Sequence, residues 1–310
     1  MPKQHLLLEP KISKAMKSID YRSYAKINLY LDVLSKREDG FHAIETIFQS
    51  ISFHDTLRCA VADTLSLEVE GADLSPGKDN LVYRAATLLQ HAYKIKHGAH
   101  MTLEKHIPIA AGLAGGSGNA AAALVALNEL WDINAPINEL EDLAAQLGSD
   151  IPYCLSGGTQ AGINRGETLS PIAPLPKTWF VLAHPPIAVS TPAIYNHPKL
   201  FKSGATPGPS GMSSRLEEAI QRCEEAPLGS ILFNAMEFAA LVAFPIIEEY
   251  KARLSVAGCD GVLMSGSGPT CFGICKSESH AYDVKAQLHD IESTIVHSVD
   301  TGLERFGDNL

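Results

Sequence analysis

The stretch from Ile107 to Leu130, IPIAAGLAGGSGNAAAALVALNEL, contains the residue types best suited to binding an anion. Four glycines fall within residues 112–118, and four consecutive alanines follow at 120–123. Glycine allows close approach to the backbone, and alanine forms a slim, tightly packed helix. A bare loop that leads into a helix N-terminus presents unpaired N–H groups to a ligand. The stretch therefore predicts an anion-binding loop followed by a helix over 119–130.

Three kinds of glycine loop compete for this stretch. A P-loop is excluded because no Lys-Ser or Lys-Thr follows the glycines. A dinucleotide fingerprint on Gly116, Gly118 and Ala121 is weak, because its acidic partner Glu141 lies in a helical pattern instead of at a strand end. A longer phosphate loop, with Ser117 as a hydroxyl donor or Mg²⁺ ligand, fits best. A tight turn before a closely packed core helix is the alternative that involves no ligand.

A second glycine-rich segment, SGSGPT at residues 265–270, joins two apolar stretches. A simple hairpin turn would explain this segment without any ligand. Two glycine loops in separate parts of the chain nevertheless suggest that a molecule is held between them.

Three charged or titratable residues are candidates for chemistry, and each has a plainer explanation. Lys26 alternates with Ile27 and Leu29 in a strand pattern, where a solvated edge lysine is the plainer explanation. Asp150 follows a Gly-Ser pair, and aspartate often serves as a helix N-cap in such a place. His42 follows an Asp-Gly turn and could be an ordinary surface histidine. None of the three identifies a site alone.

Composition excludes several classes of protein. The net charge of −10 argues against a general nucleic-acid binder. The six cysteines are scattered without a CxxC pair, which indicates free thiols in a reducing compartment and not a zinc site. No apolar run approaches the ~20 residues of a membrane span, and the short Leu6–Leu8 run is no signal peptide. We therefore expect a cytoplasmic protein, monomer or homodimer, with no membrane or nucleic-acid partner.

The elements that position these residues can be predicted from periodicity. Helices are predicted over 80–93 (with Asp79 or Asn80 as N-cap), in INELEDLAAQLG, from Arg215, and from Phe233 to Leu254 with a break at Pro245. Strands are predicted from Tyr24 to Leu34, in AIETIFQSISF, TLSLEVEG and TWFVLAHP, in HMTLEKHIPIA up to Pro108, and on both sides of the second glycine loop. The segment SGATPGPSGMSS is predicted to be a loop.

Proline density rises around residues 171–177, and we place a domain boundary there. At 310 residues the chain has room for two domains. The predicted organisation is a flexible extension over 1–20, an N-terminal domain over 21–172 and a C-terminal domain over 173–310.

Four segments resemble those of the GHMP small-molecule kinase superfamily and occur in the same order: AKINLYLDVLSKREDGFHAIETIFQSI, PIAAGLAGGSGNAAAALVALN, LGSDIPYCLSGG and MSGSGPTCFGI. The resemblance implies an α+β fold, with a ribosomal-protein-S5-like N-terminal domain joined to a ferredoxin-like C-terminal domain. Within the superfamily, the combination of the motifs AKINL, DGFH and GSDIP resembles that of the members that act on cytidine diphosphate-linked methylerythritol. It implies phosphorylation of the 2-hydroxyl of that substrate by ATP and Mg²⁺ in the non-mevalonate isoprenoid pathway.

The resemblance also implies a role for individual residues. Asp150 would be the general base, with Lys26 as the cation beside it. Asn28 would position the erythritol chain, and His42 would read a cytosine stacked between Phe41 and Tyr195. The implied ATP site comprises Asn80 and Lys105 near the adenine, with Pro108, Ala111, Gly112, Leu113, Ala114, Gly115, Gly116, Ser117, Gly118 and Asn119 around the phosphates; Ser117 is also the implied metal ligand. The implied substrate site is completed by Gly266, Ser267, Gly268 and Thr270.

Two positions depart from the pattern of the family. Gly118 replaces the second serine of the usual Gly-Ser-Ser-Asn loop, so a hydroxyl is missing beside the phosphates or metal. Phe41 replaces the usual tyrosine, which keeps the stacking face and loses the phenolic hydrogen bond.

Three other functions stay open at this point. Another kinase of the superfamily, acting on homoserine, mevalonate or a sugar, would need no cytosine pocket. A catalytically silent nucleotide-binding protein would fit the missing serine. A dinucleotide-dependent oxidoreductase would need the weak fingerprint described above.

Overall fold

The computed structural model describes residues 18–307, which form two β-sheets and nine α-helices within that range. The elements up to residue 171 are β1 (Ser18–Lys36), β2 (His42–Ala62), β3 (Ser66–Glu70), α1 (Leu81–Ala92), β4 (Gly98–Glu104), α2 (Gly115–Leu130), α3 (Ile137–Leu147), α4 (Ile151–Ser156), β5 (Thr159–Ile163) and β6 (Thr168–Pro171). The later elements are β7 (Trp179–Ala183), α5 (Thr191–Tyr195), α6 (Ser214–Glu225), a 3₁₀ helix (Leu228–Ile231), β8 (Phe233–Asn234), α7 (Glu237–Ala243), α8 (Ile246–Val256), β9 (Val262–Met264), β10 (Cys271–Cys275), α9 (Glu278–Gln287), β11 (Ser293–His297) and β12 (Leu303–Phe306).

The first sheet has eight strands and is built around a long antiparallel pair, β1 and β2. Its main path runs β12–β1–β2–β4–β3, while β5 adds to β2, β6 adds to β5 and β8 adds to β1. The β1–β2 register shifts at three places, one of them between Asn28 and Tyr30. Because this sheet is mainly antiparallel, it is not the parallel, doubly wound sheet of a dinucleotide-binding fold.

The second sheet has the strand order β11–β7–β10–β9, and all of its pairs are antiparallel. Three hydrophobic cores fix the order of the layers. One core lies between the first sheet and helices α1–α4, the next lies between the two sheets, and the third lies between the second sheet and α7–α9. Ile27 and Leu29 point into the core between the sheets, so their β1 neighbours Lys26 and Asn28 point toward the helices.

Several predicted elements are confirmed. Asn80 caps α1, because its side chain accepts a hydrogen bond from the backbone N–H of Val82 at 2.9 Å. Gly148 ends α3, and Pro245 separates α7 from α8. The loop predicted at residues 203–214 has no helix or strand up to residue 213, and Ser214 begins α6. The six cysteines are free thiols.

Other boundaries differ from the predictions. α2 begins at Gly115, within the glycines, instead of at residue 119, and β4 ends at Glu104, before Pro108. Residues 233–234 form a strand, so the helix predicted from Phe233 begins at Glu237.

The predicted flexible extension over residues 1–20 overlaps the first strand. β1 begins at Ser18, so residues 18–20 of that extension belong to a strand, and residues 1–17 lie outside the described range. The domain division at residue 172 stays a prediction, since β8 and β12 follow it in sequence and pair with β1. Between residues 18 and 307, no helix combines the length and apolar character needed to cross a bilayer.

Candidate active site

A cavity of about 960 Å³ brings together most of the residues predicted from the sequence. The predicted residues that line it are Lys26, Asn28, Phe41, His42, Asn80, Lys105, Pro108, Ala111, Gly112, Leu113, Ala114, Gly115, Gly116, Ser117, Asn119, Asp150, Tyr195, Gly266 and Ser267. Gly118, Gly268 and Thr270 do not line it. Residues far apart in the chain therefore meet in one concave site, as expected for a small-molecule enzyme.

The glycine loop supplies an uncapped helix N-terminus to this cavity. Ala114, at the N-cap of α2, has a left-handed backbone (φ 56°) and makes no side-chain capping bond. Gly118 already donates its N–H to the carbonyl of Ala114 at 2.9 Å, so the free donors of the first turn belong to residues 115–117. An uncapped 16-residue helix with three adjacent N–H groups facing a cavity is suited to binding phosphate.

The two glycine loops dock against each other. Ser265 donates its hydroxyl to the carbonyl of Gly112 at 3.0 Å, and the N–H of Thr270 reaches the carbonyl of Ala111 at 3.3 Å. Gly112 has φ 77°, and a Cβ there would lie 2.1 Å from the Ser265 carbonyl oxygen. This position therefore excludes any side chain.

A lysine and an aspartate lie beside this helix N-terminus. The Nζ of Lys26 is 3.7 Å from Oδ2 of Asp150. It also donates to Oδ1 of Asn28 at 2.7 Å and to the carbonyl of Gly112 at 3.2 Å. Lys26 is 4% exposed, so the explanation of a solvated edge lysine is wrong.

Asp150 occupies the N-cap position of α4, yet its side chain makes no capping hydrogen bond. The carboxylate instead faces the cavity, with a side chain that is 36% exposed. Its charge is therefore available to a bound molecule.

At the end of the cavity predicted to receive adenine, the polar groups are already paired. Asn80 donates from its amide to the carbonyl of Ser75 at 2.8 Å while its oxygen caps α1. The ammonium of Lys105 forms a close ion pair with buried Asp55. Both residues therefore have partners within the protein that hold them in the wall of the cavity.

Another part of the cavity is lined by aromatic rings. The rings of His42 and Tyr195 stack with centroids 5.0 Å apart and planes at 12°. Phe41 is 53% exposed, and the guanidinium of Arg165 lies 4.9 Å from the centroid of its ring. His42 therefore covers one face of Tyr195 and Arg165 covers one face of Phe41, and a base held between Phe41 and Tyr195 stays a prediction.

His42 is chemically unusual within this end. Its Nε2 is buried and has no hydrogen-bond partner. Burial, reinforced by the charges of Lys202 and Lys36, lowers the pKa of His42 below 6.5 and favours the neutral ring. A buried nitrogen without a partner costs free energy unless a ligand supplies one.

The three predicted residues outside the cavity have structural contacts. A Cβ on Gly118 would point at Ser23 and at the carbonyl of Tyr24, both 3.4 Å away. Thr270 places its hydroxyl 3.2 Å from Nδ1 of His184, and a Cβ on Gly268 would meet the sulfur of Met264 at 2.5 Å. The missing second serine at position 118 would therefore have faced β1 and not the phosphates.

Sequence reasoning missed three residues of the site. Arg165 lines the cavity, Thr191 bonds the hydroxyl of Ser267 at 2.8 Å, and Asp55 neutralises Lys105. Each is distant in sequence from its partner, and no motif signals the pairing.

The cavity also offers oxygen ligands for a metal. The described residues contain no group of three or more His, Cys, Asp or Glu side chains placed to hold a metal ion. Ser117 and Asp150 nevertheless both line the cavity. Mg²⁺ typically binds through one or two carboxylates together with substrate phosphates. The Asp150 carboxylate and the Ser117 hydroxyl are suitable ligands of this kind.

Comparison with known proteins identifies the family. Family models described as "GHMP kinases N terminal domain" and "GHMP kinases C terminal" match residues 80–158 and 214–291. A curated 4-diphosphocytidyl-2-C-methyl-D-erythritol kinase from Pelotomaculum thermopropionicum is 46% identical over 274 residues, covering 88% of this chain and 94% of that protein. The chain belongs to the 4-diphosphocytidyl-2-C-methyl-D-erythritol kinase family of GHMP kinases.

Solved structures agree with this assignment. A crystal structure of 4-(cytidine 5'-diphospho)-2C-methyl-D-erythritol kinase is 32% identical, with a TM-score of 0.73 over 90% of this chain and 98% of that chain. A homoserine kinase from Cytophaga hutchinsonii is 17% identical, with a TM-score of 0.70 over 97% and 100% of the two chains, which shows likeness of fold alone. This member of the family is therefore a two-domain α+β small-molecule kinase that uses ATP.

Proposed function

We propose that this kinase transfers the γ-phosphoryl group of ATP to the 2-hydroxyl of 4-diphosphocytidyl-2-C-methyl-D-erythritol, a step of the methylerythritol phosphate pathway to isoprenoids. The names of its relatives support this reaction. The observation that carries the proposal is one cavity with two different ends. The Lys26–Asp150 pair lies beside an open helix N-terminus, and an aromatic pair suited to a pyrimidine lines the same space.

The phosphates of ATP would lie against the N–H groups of residues 115–117. Phosphoryl transfer depends mainly on alignment and on neutralising charge on the phosphate oxygens. The N-terminus of α2 supplies fixed donors and the positive end of a helix dipole. Because the glycine loops are docked on each other, these donors need little reorganisation when ATP binds.

Asp150 would orient the substrate hydroxyl and accept its proton. A carboxylate is too weak a base to deprotonate an alcohol in the ground state. It can accept the proton late, as the new O–P bond forms. The Lys26 side chain lies beside it and would stabilise negative charge on the transferring group.

Ser117 and Asp150 are the residues that would hold Mg²⁺, together with the ATP phosphates. When bound, the ion would neutralise phosphate charge. Asn119 is not assigned as a ligand of the ion, because its side-chain oxygen already accepts a hydrogen bond from the hydroxyl of Ser23 at 2.7 Å.

The cytosine would occupy the aromatic end. Phe41 and Tyr195 offer apolar faces, and stacking of a base on an aromatic ring contributes ~1–3 kcal/mol. The unpartnered Nε2 of His42 would gain a hydrogen bond from an edge of the base. Arg165 would add a cation near the diphosphate that links cytidine to the polyol.

We extend the proposal to the finer fold. The second half follows a strand-helix-strand-strand-helix-strand order through β7, α8, β9, β10, α9 and β11, which supports a ferredoxin-like C-terminal domain. An S5-like N-terminal domain up to about residue 172, a cytoplasmic location and a monomeric or homodimeric state belong to the same proposal.

Release of ADP at fixed MgATP tests the reaction. The acceptors to compare are 4-diphosphocytidyl-2-C-methyl-D-erythritol, methylerythritol phosphate, mevalonate and homoserine. We expect activity only with the cytidylylated compound. An Asp150→Asn preparation purified in parallel controls for contaminating kinases.

The other outcomes are equally specific. Activity with an untagged alcohol would keep the phosphate loop and discard the proposed cytosine pocket. ATP binding without turnover on any acceptor would favour a catalytically silent nucleotide-binding protein.

A further inference from the structure

Thr46 lies directly behind the lysine of the active site and makes no contact with the cavity itself. It is 0% exposed on β2, and its hydroxyl oxygen is 2.8 Å from Nδ2 of Asn28 and 2.7 Å from the carbonyl of Tyr30. Asn28 in turn accepts a hydrogen bond from Lys26 through its Oδ1 at 2.7 Å. A chain of three hydrogen bonds therefore leads from the backbone of β1 to the ammonium group.

The direction of this chain is determined by its first member. The carbonyl of Tyr30 can only accept, so the single hydroxyl proton of Thr46 is donated to it. The Thr46 oxygen must then accept from Asn28, which forces the amide nitrogen of Asn28 toward Thr46 and its oxygen toward Lys26. A flipped amide would present N–H groups to the ammonium of Lys26 and repel it.

The backbone places these groups together through an irregularity of the sheet. The register of β1 on β2 shifts between Asn28, which pairs with Phe48, and Tyr30, which pairs with Ile47. Such bulges commonly re-aim side chains next to active sites. Here Thr46 and Phe48 share the face of β2 that lies under Lys26, and Nζ of Lys26 is 5.6 Å from the centroid of the Phe48 ring.

We propose that Thr46 is a positioning residue for phosphoryl transfer: by fixing the orientation of the Asn28 amide, it holds the ammonium of Lys26 between Gly112 and Asp150. The inference rests on the proposed function, because it assigns Thr46 a role in that reaction. Thr46 does not line the cavity and acts through Asn28 and Lys26, so its loss should lower the rate of the chemical step more than it weakens the binding of either substrate.

The test compares Thr46→Val with Thr46→Ser. Valine keeps the shape and removes the hydroxyl, whereas serine keeps the hydroxyl. We expect Thr46→Val to lower kcat roughly 10- to 100-fold, the range expected when a hydrogen bond to a charged group is disrupted. The KM values for ATP and for the tagged substrate should change less than about threefold, and Thr46→Ser should restore most of kcat.

A matched threonine separates positioning from mere stability. Thr159 is also buried, and its hydroxyl donates to Oε1 of Gln49 at 2.7 Å and accepts from the N–H of Leu175 at 3.1 Å. Thr159→Val should lower the melting temperature about as much as Thr46→Val and leave kcat unchanged. Adding Thr46→Val to an Asn28→Ala variant should cause little further loss, because Thr46 acts through Asn28.

Three results would overturn the inference: unchanged kcat in Thr46→Val, no rescue by serine, or an equal loss of kcat in Thr159→Val. The proposed function fails separately, through the choice of acceptor. If the wild-type protein phosphorylates another alcohol, the same variants are compared on that alcohol. A wild-type protein without any turnover would overturn both.

Discussion

The reacting end of the cavity and the aromatic end differ in how their polar groups are held in place. Lys26 has acceptors from Asn28, Gly112 and Asp150, and the free N–H groups of α2 are held by two docked glycine loops. His42 at the other end has a buried nitrogen without a partner. Contacts within the protein hold the charged groups and free donors of the first end in place, while the second end contains a buried nitrogen that makes no hydrogen bond within the protein.

This difference has a kinetic meaning. Interactions that are prearranged around the transferring group act on the transition state and therefore on kcat. Interactions completed by the ligand itself contribute to substrate binding and therefore to KM. Variants at the reacting end should therefore mainly lower kcat, and variants at the aromatic end should mainly raise KM for the tagged substrate.

Asp150→Asn should cause the largest loss, at the reacting end. The change removes the charge and the proton acceptor while it keeps the size, so kcat should fall about 10²- to 10⁴-fold with little change in KM for ATP. Initial rates of ADP release measure both constants. Asp142→Asn, the same change at an exposed residue of α3, should leave kcat unaltered. Near-normal turnover in Asp150→Asn would remove this residue from the role of base.

Tyr195→Ala should mainly change binding, at the aromatic end. Loss of one stacking face at ~1–3 kcal/mol corresponds to a rise of roughly 5- to 150-fold in KM for the tagged substrate, with kcat little altered. Tyr282→Ala provides the control, because that ring is 61% exposed on α9 and does not line the cavity. An unchanged KM in Tyr195→Ala would contradict the assignment of this end to cytosine.

The pH dependence of KM should depend on His42. Its pKa is lowered below 6.5 by burial, Lys202 and Lys36, so the ring is neutral at pH 7 and becomes protonated as the pH falls through its folded-state pKa. A bound base would bury the ring further and oppose protonation, so by linkage protonation opposes binding. KM for the tagged substrate should therefore rise as the pH is lowered below the ordinary pKa of histidine. In His42→Asn this rise should disappear, and its persistence there would assign it to another group.

Gly118→Ser should have the smallest effect and would restore the serine of the family pattern. The new side chain would point toward β1, and its Cβ would lie 3.4 Å from the Cβ of Ser23 and from the carbonyl oxygen of Tyr24. Since the side chain points away from the cavity, kcat and KM should change less than about twofold. Gly115→Ser offers the contrast within the same loop, because a Cβ there would lie 2.9 Å from Ile107 and 3.1 Å from Nζ of Lys105. A large gain of activity in Gly118→Ser would mean that the missing hydroxyl does act at the phosphates.

Local features of the site followed from the sequence because their physics is local. The glycines before an alanine helix predicted an open helix N-terminus, and Asn80 was one of two residues predicted to cap α1. Strand alternation predicted that Lys26 lies on the opposite face from Ile27 and Leu29. The start of α2 was still misplaced, because glycine has a low helix propensity and the packing of the loop overrides it.

The sequence alone thus determined which residue types are available, the order of the elements and, through resemblance, the family. It could not determine which groups satisfy one another across the fold. Asp55 neutralises Lys105, Arg165 lies over Phe41, Thr46 orients Asn28, and Gly118 faces β1. These pairings depend on strand register and on the packing of two sheets, which bring distant parts of the chain within hydrogen-bonding distance. Only the tertiary structure decides them, because a hydrogen bond forms over about 3 Å and no spacing in the sequence encodes that distance.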